Sequence, residues 1–324
     1  MSHADHHASK SSEPAPFGLV IHGGAGTITR AQLSPEREAE TRAKLTEAVN
    51  AGYAVLEQGG ASLDAVVAAI EILEDSPLFN AGIGAVYTSD GRHELDASIM
   101  DGATRGAGAV AAVSDVRHPI RLARGVLEKS EHVMLSGAGA EAFARTLGME
   151  PVDNTIFDTE FRRGQLERAQ SAEDKGAALA PMEIESKFGT VGAVALDQHG
   201  NLAAGTSTGG TTNKRYGRIG DSPVIGAGTF ADNESCAVSS TGHGEYFIRY
   251  VVAYDICALT RYSDLPLANA ADRVVNDTLV KAGGAGGVIA MDRKGNVAMP
   301  FNTEGMYRAY RRRGEAPVVG IYKD

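Results

Sequence analysis

The stretch "KFGTVGAV" (187–194), with "GTSTGG" (205–210) just after it, decides how the rest of the chain is read. Gly189-Thr190 ends a polar, loosely patterned region and opens a strand-like apolar run. The bland account is a β-hairpin that carries threonines, and Gly-Thr alone cannot displace it, since the pair arises by chance in any glycine-rich chain. The sharper account is chemical. Threonine is seldom a nucleophile, because its hydroxyl is weakly acidic and its β-branch crowds attack. If the Gly189–Thr190 bond is cut, Thr190 gains a free α-amine, which titrates near ~7.7–8.0 rather than near lysine's ~10.4. At neutral pH that amine can act as base for its own Oγ, directly or through a water. Gly189, lacking a Cβ, tolerates strained dihedrals and leaves its carbonyl open to the Thr190 hydroxyl. An N→O acyl shift and hydrolysis would then cut the chain without a protease.

The company Gly189-Thr190 keeps shifts the balance. Thr206, Ser207 and Thr208 lie on the return of the same hairpin, within reach of Thr190. "NKRYGRIGDSP" (213–223) sets Arg218 and Asp221 three apart on a glycine-flanked loop. As an exposed ion pair they contribute little. As a receptor for a zwitterion they are well matched, the guanidinium fork to an α-carboxylate and the aspartate to an α-ammonium. "SSTGHGEYF" (239–247) adds Thr241, Gly242 and Gly244, a hydroxyl and bare backbone N–H groups suited to an oxyanion hole.

Outward from this centre, "RRGQLERAQSAEDKGAALAPMEIESK" (162–187) is charged, Ala-rich and poorly periodic, and reads as an exposed linker directly before Gly189. "FGLVIHGGAG" (17–26) reads as a buried strand ending in a glycine turn, and residues 34–60 as a helix capped by Ser34, with Leu45, Val49 and Leu56 on one face. A second helix covers 62–77, with Val66, Ile70 and Leu73 on its stripe. Further helices are expected near 119–130, 138–147, 244–262 and 266–281. Segments 106–123, 189–207 and 283–302 each start glycine-rich, run through Val/Ala/Ile and meet an aspartate-bearing turn, and each reads as a hairpin. Sheets packed against helices, an α/β or α+β layered domain, follow from this order.

Composition narrows the function. A formal charge of −10, with only "YRAYRRR" (307–313) locally basic, argues against nucleic acid. No run approaches the ~20 apolar residues of a spanning helix. The start "MSHADHHASKSSEPAP" has no signal-peptide core. Its His3, Asp5, His6 and His7 read as a disordered tail over 1–16 rather than a metal site. Two cysteines, Cys236 and Cys257, cannot build a disulfide framework and are expected as small core residues. A cytoplasmic protein follows.

The chain resembles the plant-type L-asparaginase/isoaspartyl aminopeptidase family of N-terminal nucleophile (Ntn) hydrolases. The motifs, in family order from about residue 17 to the end, are "IHGGAG" (21–26), "SLDAV" (62–66), "PLFNAGIGAV" (77–86), "HELDASIMDG" (93–102), "GTVGAVALD" (189–197), "GTSTGGTTNKRYGRIGDSP" (205–223), "SSTGHGEYFIR" (239–249) and "FNTEGMYR" (301–308). The resemblance implies an α+β fold, a four-layer αββα sandwich forming one domain over 17–324. It implies self-cleavage into an α chain, 1–189, and a β chain, 190–324, assembled as an (αβ)₂ heterotetramer. Position by position, Thr190 matches the nucleophile, Thr208 its supporting threonine, and Thr241 and Gly242 the oxyanion pair. Arg218 and Asp221 match the α-carboxylate and α-amine anchors, Gly244 a backbone contact to substrate, and Asn80 a support from the α chain. A structural sodium ion is implied on main-chain carbonyls of Leu73, Glu74, Ser76, Phe79, Ala81 and Ile83, with no catalytic cofactor.

The implied activity is hydrolysis of β-aspartyl (isoaspartyl) peptides and of L-asparagine, small-molecule substrates, with no nucleic-acid or membrane partner. A glycosylasparaginase-like amidase is the alternative within the superfamily. An uncleaved, non-catalytic amino-acid-binding homologue is the alternative from another class, and the intact Thr190, Thr208, Arg218, Asp221 and Thr241 argue against it.

Overall fold

A computed structural model describes residues 15–174 and 189–323. The tail histidines and residues 175–188 lie outside the described residues. Twelve strands among the described residues, including β2 (Leu95–Asp101), β4 (Met134–Ser136), β11 (Gly305–Arg312) and β12 (Val318–Tyr322), form two sheets, one of eight strands in the order β12-β11-β1-β5-β6-β2-β3-β4 and one of four in the order β10-β9-β8-β7. The strands that matter for the site are β1 (Gly18–Gly26), β5 (Val191–Leu196), β6 (Leu202–Thr208), β7 (Thr229–Ala231), β8 (Ala237–Gly242) and β9 (Gly286–Met291).

Side-chain alternation builds the layers. Leu19, Ile21, Val191, Ala193 and Ala195 face one core with the helices α1 (Pro35–Glu57), α2 (Ser62–Glu74) and α3 (Pro119–Lys129). Val20, Val194 and Leu196 face the other core, shared with the four-stranded sheet and the helices after residue 250. Both faces of β5 are therefore buried, and the strand reads as an unbroken apolar run. The result is helix, sheet, sheet, helix, the expected αββα arrangement.

Local chemistry explains the elements. Ser34 Oγ accepts from the Arg37 amide at 3.2 Å and Pro35 opens α1, as expected. The hairpins β5–β6 and β9–β10 (Val297–Ala298) each turn on Asp-x-x-Gly-Asn. Asp197 Oδ1 accepts from the amides of His199 and Asn201, and Asp292 Oδ1 from those of Lys294 and Asn296. Asp197 Oδ2 also accepts from the Ser62 amide at 3.1 Å and so caps α2.

Four expectations are corrected. Segment 106–123 is no hairpin: β3 (Ala107–Val113) leads into α3, which Pro119 opens and whose Ile120 amide donates to Glu74 Oε1 at 3.1 Å. The 162–187 linker is helical at its start. Helix α5 (Glu160–Asp174) buries Arg162, Leu166 and Ala169, so a seam at i, i+4 and i+7 sat inside the charged segment. The 244–262 helix is two, α6 (Gly244–Arg249) and α7 (Val252–Tyr262), broken at Val251 with φ +49°. The break lets the Ala253 and Tyr254 amides donate to the Ala227 and Gly226 carbonyls. Cys236 and Cys257 are buried as expected but are bonded to each other as a disulfide, which ties the start of β8 to α7. Side chains 21 residues apart meet only because the sheet and helix pack face to face.

Helix α4 (Gly137–Thr146) lies near its expected place. The helix expected at 266–281 runs from Leu267 through a π-wound stretch, Arg273–Leu279, to Ala282. No described helix is long and apolar enough to cross a membrane.

Candidate active site

Thr190 sits at the head of β5, 5% exposed, with the Gly189 carbonyl at the centre of a dense set of donors. Asn80 Nδ2 donates to that carbonyl at 2.9 Å, Thr208 Oγ at 3.0 Å, and Thr190 Oγ itself lies 2.6 Å away. Thr190 Oγ also lies 3.1 Å from Thr208 Oγ, which accepts from the Gly210 amide at 3.0 Å. Each hydroxyl has one proton. With Thr208 donating to Gly189, Thr190 can turn its proton to Thr208 and present a lone pair to the Gly189 carbonyl carbon. The facing strand β6 therefore delivers Thr208, as its pairing in register with β5 predicts.

Asn80 is held in turn. Its Nδ2 also donates to the Gly210 carbonyl at 2.7 Å, and its Oδ1 accepts from the Val86 amide at 2.9 Å. A side chain fixed by its remaining polar atoms needs no reorganisation when charge develops on the carbonyl it holds.

Beside Thr190 a narrow pocket is bordered by Gly189, Thr208, Arg218, Asp221 and Gly242. Arg218 and Asp221 meet there although their loop has little regular structure. Asp221 is 4% exposed and its Oδ2 is buried with no hydrogen-bond partner. Burial pushes its carboxyl up to about 7, against the pull of the Arg218 charge. An orphaned carboxylate oxygen in a pocket wall is a receptor for a cationic donor. Gly244 packs on both anchors: a Cβ there would crowd Arg218 Nη2 and Asp221 Oδ1, each 2.9 Å away.

Gly242 borders the pocket, whereas Thr241 lies behind it, fully buried. Thr241 Oγ accepts from the Ala25 amide at 3.3 Å, which leaves its own proton free to donate. Asn80 lies on the other side of Gly189, in a second, larger cleft. Leu73, Glu74, Ser76, Phe79 and Ala81 are buried, and the turn through Gly82 (φ +51°) folds their backbone on itself.

Sequence reasoning missed two partners. His22, in the "IHGGAG" motif, is fully buried, and burial pushes its imidazole down to about 3, so it is neutral. Its Nδ1 donates to the Thr190 carbonyl at 3.1 Å, and Nε2 then accepts from Ser239 Oγ at 3.0 Å. Gly192 is required beside it, because any Cβ would overlap both His22 and Ser239. The second is Glu245, whose carboxylate grips Arg218 Nε and Nη2, each at 3.0 Å. Glu245 directly follows Gly244 in a quoted motif, but nothing in its spacing showed that it faces Arg218.

The family described as Asparaginase matches residues 15–321 of the chain. The isoaspartyl peptidase of Salmonella typhimurium is 55% identical over 94% of this chain and 98% of its own length. That of Escherichia coli is 54% identical over 94% and 96%. An Arabidopsis thaliana protein described as a probable isoaspartyl peptidase/L-asparaginase is 42% identical over 90% and 94%.

Proposed function

The chain belongs to the asparaginase family, and from that premise we propose that it hydrolyses β-aspartyl peptides and L-asparagine through Thr190, freed by cleavage of its own Gly189–Thr190 bond. One observation carries the reading: the carbonyl before Thr190 is gripped by Asn80 and Thr208 while the Thr190 hydroxyl lies against it. In the first step Thr190 Oγ adds to the Gly189 carbonyl carbon, and its proton is relayed through the Thr208 hydroxyl or a water to the Thr190 nitrogen, which departs as an amine. The two donors hold the oxyanion, the C–N bond breaks, and the Gly189 acyl group moves to Oγ as an ester. Water hydrolyses the ester, leaving a carboxylate on Gly189 and a free amine on Thr190.

In turnover, Arg218 and Asp221 hold the α-carboxylate and α-ammonium of the aspartyl head, with Gly244 against both. With its Nε side taken by Glu245, the guanidinium offers its Nη1 end to substrate. Thr190 Oγ attacks the β-carbonyl, its α-amine takes the proton, and Thr241 Oγ and the Gly242 amide receive the oxyanion. The proton passes to the departing ammonia or peptide amine, and water then releases aspartate.

The loop 73–83 brings backbone carbonyl oxygens together, with the Glu74 carbonyl close against Gly82, and oxygen is the donor that a hard cation such as sodium selects. The carbonyls of Leu73, Glu74, Ser76, Phe79, Ala81 and Ile83 would hold it, and it would supply rigidity rather than chemistry. The cleaved halves are read as assembling into an (αβ)₂ heterotetramer, which exposed Tyr250, Val251 and Tyr254 support as an apolar face.

The test is intact mass with activity. Wild type should give two chains parting at Gly189/Thr190 and release aspartate from asparagine and from a β-aspartyl dipeptide. Thr190→Ala should stay one chain and release none; a mature, active Thr190→Ala would end the proposal.

A further inference from the structure

The pocket of Arg218 and Asp221 receives only the aspartyl head of a substrate, and the group that departs needs its own space. Gly189 borders that pocket and also a cleft of about 560 Å³ on its far side, walled near Gly189 by Gly24 and Asn80. Among the described residues Gly189 is the one common to both linings, so its withdrawal after cleavage would open the two spaces to each other beside Thr190.

The far end of the cleft is cationic. Arg162, Arg168 and Arg37 line it, with Gln165 and Phe161 between them. Arg162 is 7% exposed, yet its partners are neutral: Nε donates to the Gly84 carbonyl at 2.7 Å and Nη1 to Gln165 Oε1 at 2.9 Å. Burial and the charge of Arg37 push its guanidinium down to about 10, still protonated at neutral pH. Among the described residues no carboxylate pairs with Arg162 or Arg168, and Arg37 meets only Glu40, at 4.0 Å with both side chains exposed. A buried charge without a counter-ion is costly, and an incoming anion offsets that cost.

We propose that this cleft is the leaving-group subsite, in which Arg162, supported by Arg168 and Arg37, holds the free carboxylate of the short peptide joined through its amine to the aspartyl β-carboxyl. The assignment rests on the reading of Thr190 and Arg218 given above. Phe161, Leu33 and Leu78 line the same cleft and give the departing side chain an apolar wall. Asparagine, whose leaving group is ammonia, uses none of this. The subsite therefore sets the preference for peptides with a free C-terminus.

The experiment compares kcat/KM of the mature enzyme on β-aspartyl-leucine, β-aspartyl-leucinamide and asparagine. Wild type should favour the acid over the amide by about tenfold to a hundredfold, as for a lost charge-assisted hydrogen bond. Arg162→Met should lower the ratio of acid to asparagine by a similar factor and make acid and amide equivalent. Arg168→Ala should shift that ratio the same way by less. Acid and amide treated alike by a wild type that still cleaves asparagine would overturn the subsite alone. An Arg162→Met enzyme that keeps the wild-type ratio of acid to asparagine and still favours acid over amide would also overturn it, since the carboxylate is then held elsewhere. A wild type inert on all three substrates would overturn the reading of Thr190 and the subsite with it.

Discussion

At the scale of the residue, the site is governed by what burial does to polar groups. Asp221 illustrates the sign. Its carboxyl is raised to about 7 by desolvation, so below that pH it is protonated and cannot pair an α-ammonium. The Thr190 α-amine must be neutral to act as base, and it titrates in the range ~7.7–8.0 when unperturbed. Both therefore lower activity as pH falls, through different constants. We predict that kcat/KM for asparagine falls roughly tenfold per unit below pH 7 beyond what kcat alone shows, through a rising KM, since bound ammonium holds Asp221 ionised. Asp221→Asn should raise KM and flatten its pH dependence while the profile of kcat persists. A KM that stays level from pH 8 to 6 in wild type would remove Asp221 from substrate binding. His22 shows the opposite case: its depressed imidazole carries no charge at any working pH, so it orients the Thr190 backbone and contributes nothing to the pH profile.

At the scale of the element, the same strand serves two neighbourhoods. β6 points Thr206 and Thr208 to the side of the second sheet and the nucleophile, while Ser207 between them donates to the buried Glu74 at the end of α2. Burial raises the Glu74 carboxyl, and His118, also bonded to it, opposes that rise. The loop proposed for sodium thus contains, in Glu74, a residue bonded to the strand that carries Thr208. If the loop holds the ion, it binds the folded state alone and stabilises by mass action, about 2.7 kcal/mol at a hundredfold excess over Kd. The melting temperature should then rise with sodium chloride more than with N-methylglucamine chloride at equal ionic strength. Matching melting curves in the two salts would reject the ion. The recurrent Asp-x-x-Gly-Asn turns were legible because each closes within five residues. The break at Val251 was not, because its cause is a pair of carbonyls, Gly226 and Ala227, that no local pattern brings near.

At the scale of the whole molecule, two sheets face each other and each supplies half of the site. The eight-stranded sheet carries Thr190 and Thr208, and the four-stranded sheet carries Thr241 and Gly242. Cleavage after Gly189 would separate the halves covalently, yet β5 remains hydrogen-bonded between β1 and β6, so the α and β chains stay one folded unit. A native mass about twice the 33.8 kDa chain, with two bands per half under denaturing conditions, is the outcome expected of the (αβ)₂ assembly. A native mass equal to one chain would refute it. The disulfide Cys236–Cys257 belongs to this scale too, since it joins the sheet that ends in Thr241 and Gly242 to the helix layer outside it.

The sequence by itself pointed to sheets layered on helices and singled out Gly189-Thr190, Thr208, Arg218, Asp221, Thr241 and Gly242 as candidates, whereas Asn80 entered only through the family resemblance. Those features rest on residue type and short spacing: alternating apolar runs, capped helices, and a threonine after a glycine. Tertiary structure alone decided that Glu245 grips Arg218, that His22 holds the Thr190 carbonyl, that Arg162 is buried with no carboxylate partner among the described residues, and that two cysteines meet. Each of these depends on which segment packs against which, and on how much water that packing removes from a charge or a carbonyl. Sequence spacing records neither quantity.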